Sequence, residues 1–213
     1  MKTKNNKRVK PAQKQVANQK PKALTHAEKT KQLVLASILT AMVVVLYWLG
    51  TIFKVGTVSI TLTLIPIVIG AAFCETKIPV FLGLVFGVIV LLDPTTSWFL
   101  NMNIGGTVIV CLAKGAFCGL AASVVYKKLC NRNKYLAVLA AGAICPVVNT
   151  VIFLLGCFMF FFPGVSNMAT AGGQSVISFM LVSFVGVNFL VELCINVVIS
   201  PVIVRLLNIR KKA

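Results

Sequence analysis

The chain has 213 residues, 58% hydrophobic and only 12% charged, with a mean hydropathy of +0.95, whereas a soluble domain carries about 25% charged residues. Its charge is lopsided, 21 Lys and Arg against 4 Asp and Glu for a formal +17, but a nucleic-acid binder would not be this apolar, and the basic residues sit at the ends and in short gaps. A soluble domain and a nucleic-acid partner are excluded, and the composition describes an all-α polytopic membrane protein.

Residues 1–32 hold ten of the basic residues, with Pro11, Pro21 and many Gln and Asn. Nothing there buries a core, so they read as a disordered basic tail that stays in the cytoplasm and touches anionic membrane lipid. No short apolar stretch with a small-residue cleavage site follows, which argues against a signal peptide. Residues 33–213 read as one transmembrane domain of six helices. A span needs about 20 apolar residues to cross a ~30 Å hydrocarbon core. The first is Leu33–Phe53, with Tyr47 and Trp48 near an interface. Thr57–Cys74 is the second, broken by Pro66. Ile78–Leu92 is a short third, bounded by Pro79 and the turn-forming pair Asp93-Pro94. Ile104–Tyr126, Tyr135–Phe162 and Ser175–Leu207 are the fourth to sixth, the last tilted or broken at Pro201.

The basic residues test that count. With both termini inside, the cytoplasmic segments 1–32, 75–77, 127–134 and the C-terminal tail hold nineteen of 21 Lys and Arg. Lys54 is alone outside and Lys114 lies within a span. Five or seven spans would put a basic cluster on the outer face, against the positive-inside rule.

Two charges fall within spans, Lys114 and Glu192. An ionisable group at mid-bilayer costs at least ~2.5–3.5 kcal/mol, so it faces the bundle interior and marks a pathway, a site or an ion pair. A Lys114–Glu192 pair stapling spans four and six is one reading, and a ligand role for either is the other. Asn188, Glu192 and Asn196 are spaced i, i+4, i+8 and share one helical stripe. Asn149 adds a fourth polar group in span five. Each Asn serves equally as interhelical glue or as a ligand group offering donor and acceptor together. Small residues form smooth patches, Ala36, Ser37, Thr40 and Ala41 in span one, Gly70, Gly83 and Gly87 in spans two and three, Gly115, Gly119 and Ala122 in span four. Such patches let helices approach closely. Of the outer loops, Asp93–Asn103 carries Trp98, Phe99 and Asn103 among turn formers, and Pro163–Gln174 is small and flexible; both can act as lids.

The absences exclude much. The lone His26 rules out histidine-based triads and multi-histidine metal sites. The seven cysteines contain no CxxC pair and read as small hydrophobes without disulfides. No phosphate loop, HExxH or paired catalytic carboxylates occur. The chain therefore reads as no enzyme, with no cofactor and no metal.

The run Lys31-Gln-Leu-Val-Leu-Ala-Ser-Ile-Leu-Thr-Ala41, the run Ser59-Ile-Thr-Leu-Thr-Leu-Ile-Pro-Ile-Val-Ile-Gly-Ala-Ala72, the Gly-rich Phe81-Leu-Gly-Leu-Val-Phe-Gly87 and the ending Asn196-Val-Val-Ile-Ser-Pro-Val-Ile203 resemble the substrate-binding (S) components of energy-coupling factor (ECF) vitamin transporters over residues 30–210. The resemblance implies that the small patch of span one docks on a membrane scaffold subunit holding two ATPase subunits. Ser37 and Thr40 stand where alanine is commoner in the family's motif. It also implies an outward-opening site lined by spans four to six and the outer loops, where Lys114, Asn149, Asn188, Glu192, Trp98 and Asn103 lie. The expected function is capture of a water-soluble vitamin at the bacterial plasma membrane, with ATP hydrolysed only by the partners. A buried Lys suits a carboxylate, pantothenate- or folate-like; if Lys114 and Glu192 pair, the field is neutral and riboflavin or thiamine precursors stay open. A self-sufficient secondary transporter, or a ligand-free assembly protein, is the alternative.

Overall fold

Backbone amides within hydrocarbon find no water and are satisfied along helices. The computed structural model describes residues 26–52, 54–55, 58–59 and 62–210, and these are almost wholly helical. The elements are α1 (His26–Ile52), the two-residue strands β1 (Lys54–Val55) and β2 (Val58–Ser59), α2 (Leu64–Phe73), α3 (Lys77–Leu91), a 3₁₀ turn (Pro94–Thr96) and α4 (Ser97–Met102). Then come α5 (Ile104–Leu129), α6 (Lys134–Phe160), α7 (Phe162–Ala171), α8 (Val176–Phe179), a π-helical stretch (Met180–Val185) and α9 (Gly186–Arg210). Residues 1–25 of the expected tail lie outside the described residues, and residues 26–32 form the first turns of α1.

Among the described residues four helices are long and apolar enough to cross a membrane: α1, α5, α6 and most of α9. A fifth span results if α3 and the segment Pro94–Met102, bent by 72° at Asp93, count as one. The expected second span is where the six-helix pattern departs from the structure. Its helical part, α2, has 10 residues, about 15 Å at 1.5 Å per residue. Upstream, Val58–Ser59 is a strand, as β-branched residues favour. Pro66 therefore falls in the first turn of α2, where a missing N–H costs nothing, and not in mid-helix. The expected sixth span is likewise not one helix: it breaks ahead of Gly186, through the π-helical stretch, while Pro201 lies inside α9. The loop Pro163–Gln174, expected to be flexible, is mostly α7, with Pro163 in its first turn and Gly173 at φ +64° beyond its end.

Short as it is, α2 is the hub. Leu64, Ile67, Val68 and Ala71 are buried in one core with Leu39 and Val43 of α1, Leu82 and Phe86 of α3, Cys118 and Ala122 of α5, Val138, Ala141 and Cys145 of α6, and Ile203 of α9. A helix apolar on every side is stable only when surrounded. The outer helices instead present Leu33, Phe117, Leu155 and Val198 outward, as lipid-facing surfaces do. All seven cysteines are free.

The closest approach is α3 against α5, which run antiparallel. A Cβ added at Gly83 would collide with the Gly115 carbonyl, one at Gly115 with the Gly83 carbonyl, and one at Gly119 with the Pro79 carbonyl. At Gly87 it would stand 2.5 Å from the Cys111 oxygen. The four-residue spacing of small side chains on both helices brings backbone onto backbone. On the other flank of α5, a Cβ at Gly156 of α6 would strike the Val110 side chain, and Cys118 Sγ donates to the Cys145 carbonyl at 3.3 Å. These contacts fix the level at which each side chain of α5 stands.

Candidate functional site

Lys114 lies between those two α5–α6 contacts, level with the middle of α6, and the Gly83–Gly115 crossing brings α3 equally close. Its ammonium stands over the Phe86 ring of α3 and the Phe153 ring of α6, 5.6 Å from each centroid. Ring faces carry partial negative charge, worth about 0.5–2 kcal/mol each to a cation, which offsets part of the cost of a charge at this depth. Among the described residues Lys114 and Glu192 form no ion pair with each other. One turn from Phe153, Asn149 has a buried Oδ1 that meets no hydrogen-bond partner among the described residues. Cysteines 111 and 157 lie within electrostatic reach of the ammonium.

An aromatic cover closes this region at the end that holds the 94–102 segment. Phe99 of α4 packs edge-on against Phe153 at 5.7 Å and Phe161 at 5.1 Å, and Trp98 against Phe99 at 4.8 Å. Val165 of α7 and Met180 are buried beneath the same cluster. Trp98 thus sits in the cover. Asn103 is the N-cap of α5, its Oδ1 accepting from Gly106 N at 2.8 Å. Asp93 caps the preceding 3₁₀ turn, accepting from Thr95 N at 2.8 Å, while its other oxygen accepts from the Tyr47 hydroxyl at 2.6 Å.

The stripe on α9 faces inward against α6. Glu192 is 1% exposed, Asn196 3% and Ser200 0%. Asn196 Nδ2 donates to the Glu192 carbonyl at 2.8 Å and Ser200 Oγ to the Asn196 carbonyl at 2.7 Å, so both polar groups bond within their own helix. A Cβ at Gly142 of α6 would stand 3.2 Å from Ser200 Oγ, and Glu192 lies within electrostatic reach of Cys145. The side chain of Asn188 lies outside the described ones. The structure thus sorts the expected site residues into two groups, Lys114 with the cover and Glu192 with the α9 stripe, both against the one face of α6 that carries Gly142, Cys145 and Phe153. Asn149, one turn beyond Cys145, lies on that same face.

Sequence reasoning missed Phe86, Phe153 and Ser200. Ser200 continues the four-residue spacing of the stripe and was within reach of the pattern. The two rings carry no such signal, because they meet Lys114 only through the register of three helices.

At the other end of α1, Ala36, Ser37 and Thr40 line a groove of about 770 Å³ against Lys77, Ile78 and Phe81 at the start of α3. Ala41 is exposed beside it. The hydroxyls of Ser37 and Thr40 donate to the carbonyls of Leu33 and Ala36 at 3.0 and 2.8 Å. Bonded back in this way, they leave a small, apolar stretch of wall at 36–40, in a groove that Lys29, Gln32, Glu75 and Lys77 also line.

This is a membrane-embedded helical bundle with a half-buried cation under an aromatic cover. A family profile, that of the ECF transporter substrate-specific component, matches residues 31–204, and the chain belongs to that family. It is therefore a multi-pass membrane protein and a transporter subunit, not an enzyme in its own right. No curated protein and no solved structure matches it.

Proposed function

We propose that the chain captures a water-soluble vitamin or related micronutrient bearing a carboxylate, pantothenate- or folate-like, from outside the bacterial plasma membrane. It passes the cargo inward together with an ECF scaffold subunit and two ATPase subunits, which hydrolyse the ATP. The observation that carries the substrate class is Lys114. The two ring faces offset part of the cost of the ammonium, no carboxylate among the described residues pairs with it, and a ligand's carboxylate adds charge-assisted hydrogen bonds that ring faces do not supply. The buried Asn149 Oδ1 suits a ligand N–H or O–H, and Trp98 closes over the ligand. Glu192 and Asn196 line the α9 side, Asn188 of the same stripe is a further proposed ligand contact, and Asn103 holds the start of α5 in place.

Six passes with both termini cytoplasmic go with this reading. The basic segments collect at one end of the bundle: Lys127 Nζ donates to Thr76 Oγ1 at 2.5 Å, and Lys29 and Lys77 line one groove. The antiparallel contact of Gly142 with Asn196 and Ser200 directs Arg205 toward the same end as Lys134. The positive-inside rule makes that end cytoplasmic. Helix α2 carries the chain toward the basic end, where Glu75 and Lys77 line one groove with Lys29, and supplies the helical part of the second pass.

The groove of Ala36, Ser37 and Thr40, with Ala41 beside it, is the docking surface for the scaffold. Ser37 is exposed, so Ser37→Phe fills the groove without touching the core. Its expected effect is loss of scaffold co-purification and of ATP-driven uptake in proteoliposomes, with ligand binding by the isolated chain unchanged. Uptake that persists without the ATPase subunits would instead make the chain a self-sufficient transporter.

A further inference from the structure

The hydrogen bond between Tyr47 and Asp93 joins α1 to the aromatic cover. Tyr47 lies in α1, and its hydroxyl donates to Asp93 Oδ2 at 2.6 Å. The other oxygen of the same carboxylate accepts from Thr95 N at 2.8 Å and from Thr95 Oγ1 at 2.5 Å, and Thr96 Oγ1 donates to the Val90 carbonyl at 2.7 Å. Asp93 therefore holds the 72° bend that aims the 94–102 segment over the bundle. That segment carries Phe99, which packs on Phe153, one of the two rings beneath the Lys114 ammonium. The Tyr47 ring itself packs edge-on against Phe86, the other ring, at 6.4 Å and 60°. One side chain of α1 thus reaches both rings, by direct contact and through the cover. Beside the bond, a groove of about 380 Å³, lined among others by Tyr47, Trp48, Thr51, Leu92 and Asp93, separates α1 from the bend. Across this groove the Tyr47–Asp93 hydrogen bond ties the bend to α1.

We propose that Tyr47 is a positioning residue: its bond to Asp93 clasps the aromatic cover over Lys114, so that displacement of α1 releases the cover. This rests on the reading of Lys114 as the cargo site. Trp48 and Trp98 are the two tryptophans of the chain, so Trp48→Phe leaves Trp98, in the cover, as the sole reporter. In that background, with the full chain in nanodiscs and acrylamide as the probe, Tyr47→Phe is expected to raise the Trp98 quenching constant about twofold or more, as local opening exposes a half-buried side chain. The melting temperature is expected to stay close to the parent's, because the Tyr47 ring remains on Phe86. Asp93→Ala should raise quenching at least as much, since it also removes the Thr95 bonds, and adding Tyr47→Phe to it should raise quenching no further, because the clasp is already lost. Unchanged quenching in Tyr47→Phe, a fall in melting temperature alone, or additive effects in the double variant would each overturn the clasp. The readout needs no ligand, so it fails separately from the Lys114 reading, which the cargo affinity of Lys114 variants tests.

Discussion

Lys114→Met is expected to weaken binding of a carboxylate vitamin by about 100-fold or more while leaving the melting temperature unchanged or higher. Removing one member of a buried charge pair costs about 3–5 kcal/mol, and each 1.4 kcal/mol is a factor of ten in affinity. Stability moves the other way. A mid-bilayer ammonium carries an insertion cost of ~2.5–3.5 kcal/mol, and the two ring faces, 5.6 Å away, return only about 0.5–2 kcal/mol each. Methionine fills similar space with no charge and packs well against aromatic rings. Calorimetric titration with a vitamin panel, beside thermal unfolding in detergent, reads both quantities. A lower melting temperature with unaltered affinity would make Lys114 a structural residue and remove the case for an acidic cargo.

Gly115→Val is expected to be the most disruptive single change in the bundle. Its Cβ alone would overlap the Gly83 carbonyl oxygen, which is backbone and cannot turn aside, and valine adds two methyls at the same point. Overpacking costs about 1–3 kcal/mol where side chains can yield; here two helices must separate, so ~3 kcal/mol or more is expected, with the Phe86 ring drawn away from Lys114 as α3 moves. Gly105→Ala is the control, because its Cβ would meet only Asn103 Oδ1 at 3.7 Å. Thermal unfolding should show Gly115→Val aggregated or melting far below the parent and Gly105→Ala close to it. Equal behaviour of the two would refute the close crossing.

These two residues also show what the sequence made legible. Lys114 stands out because a lone charge in an apolar run is costly anywhere, and the glycines because small side chains four apart mark a helix contact regardless of the partner. The inward face of Glu192 and Asn196 follows from helical period alone. The length and place of α2 do not. An apolar run looks the same whether it faces lipid or is enclosed by five helices, and Pro66 marks a helix start or a kink with equal ease. The helical character of α7 was hidden in the same way: Pro163 and Gly172 read as loop formers until one is seen in the first turn and the other at the end. Nothing in the sequence marks Phe86, though it lies in the Gly-rich run 81–87, or Phe153 as a partner of Lys114, since any of the fourteen phenylalanines has the chemistry and only the register of α3, α5 and α6 selects two.

Under the proposed function, this family member holds an acidic small molecule at Lys114. Native mass spectrometry of the detergent-purified full chain, parent beside Lys114→Met, tests it most directly. The expected result is a co-purified vitamin bearing a carboxylate on the parent and its loss from the variant. A cargo without an acidic group, or the same cargo retained by Lys114→Met, would contradict the claim.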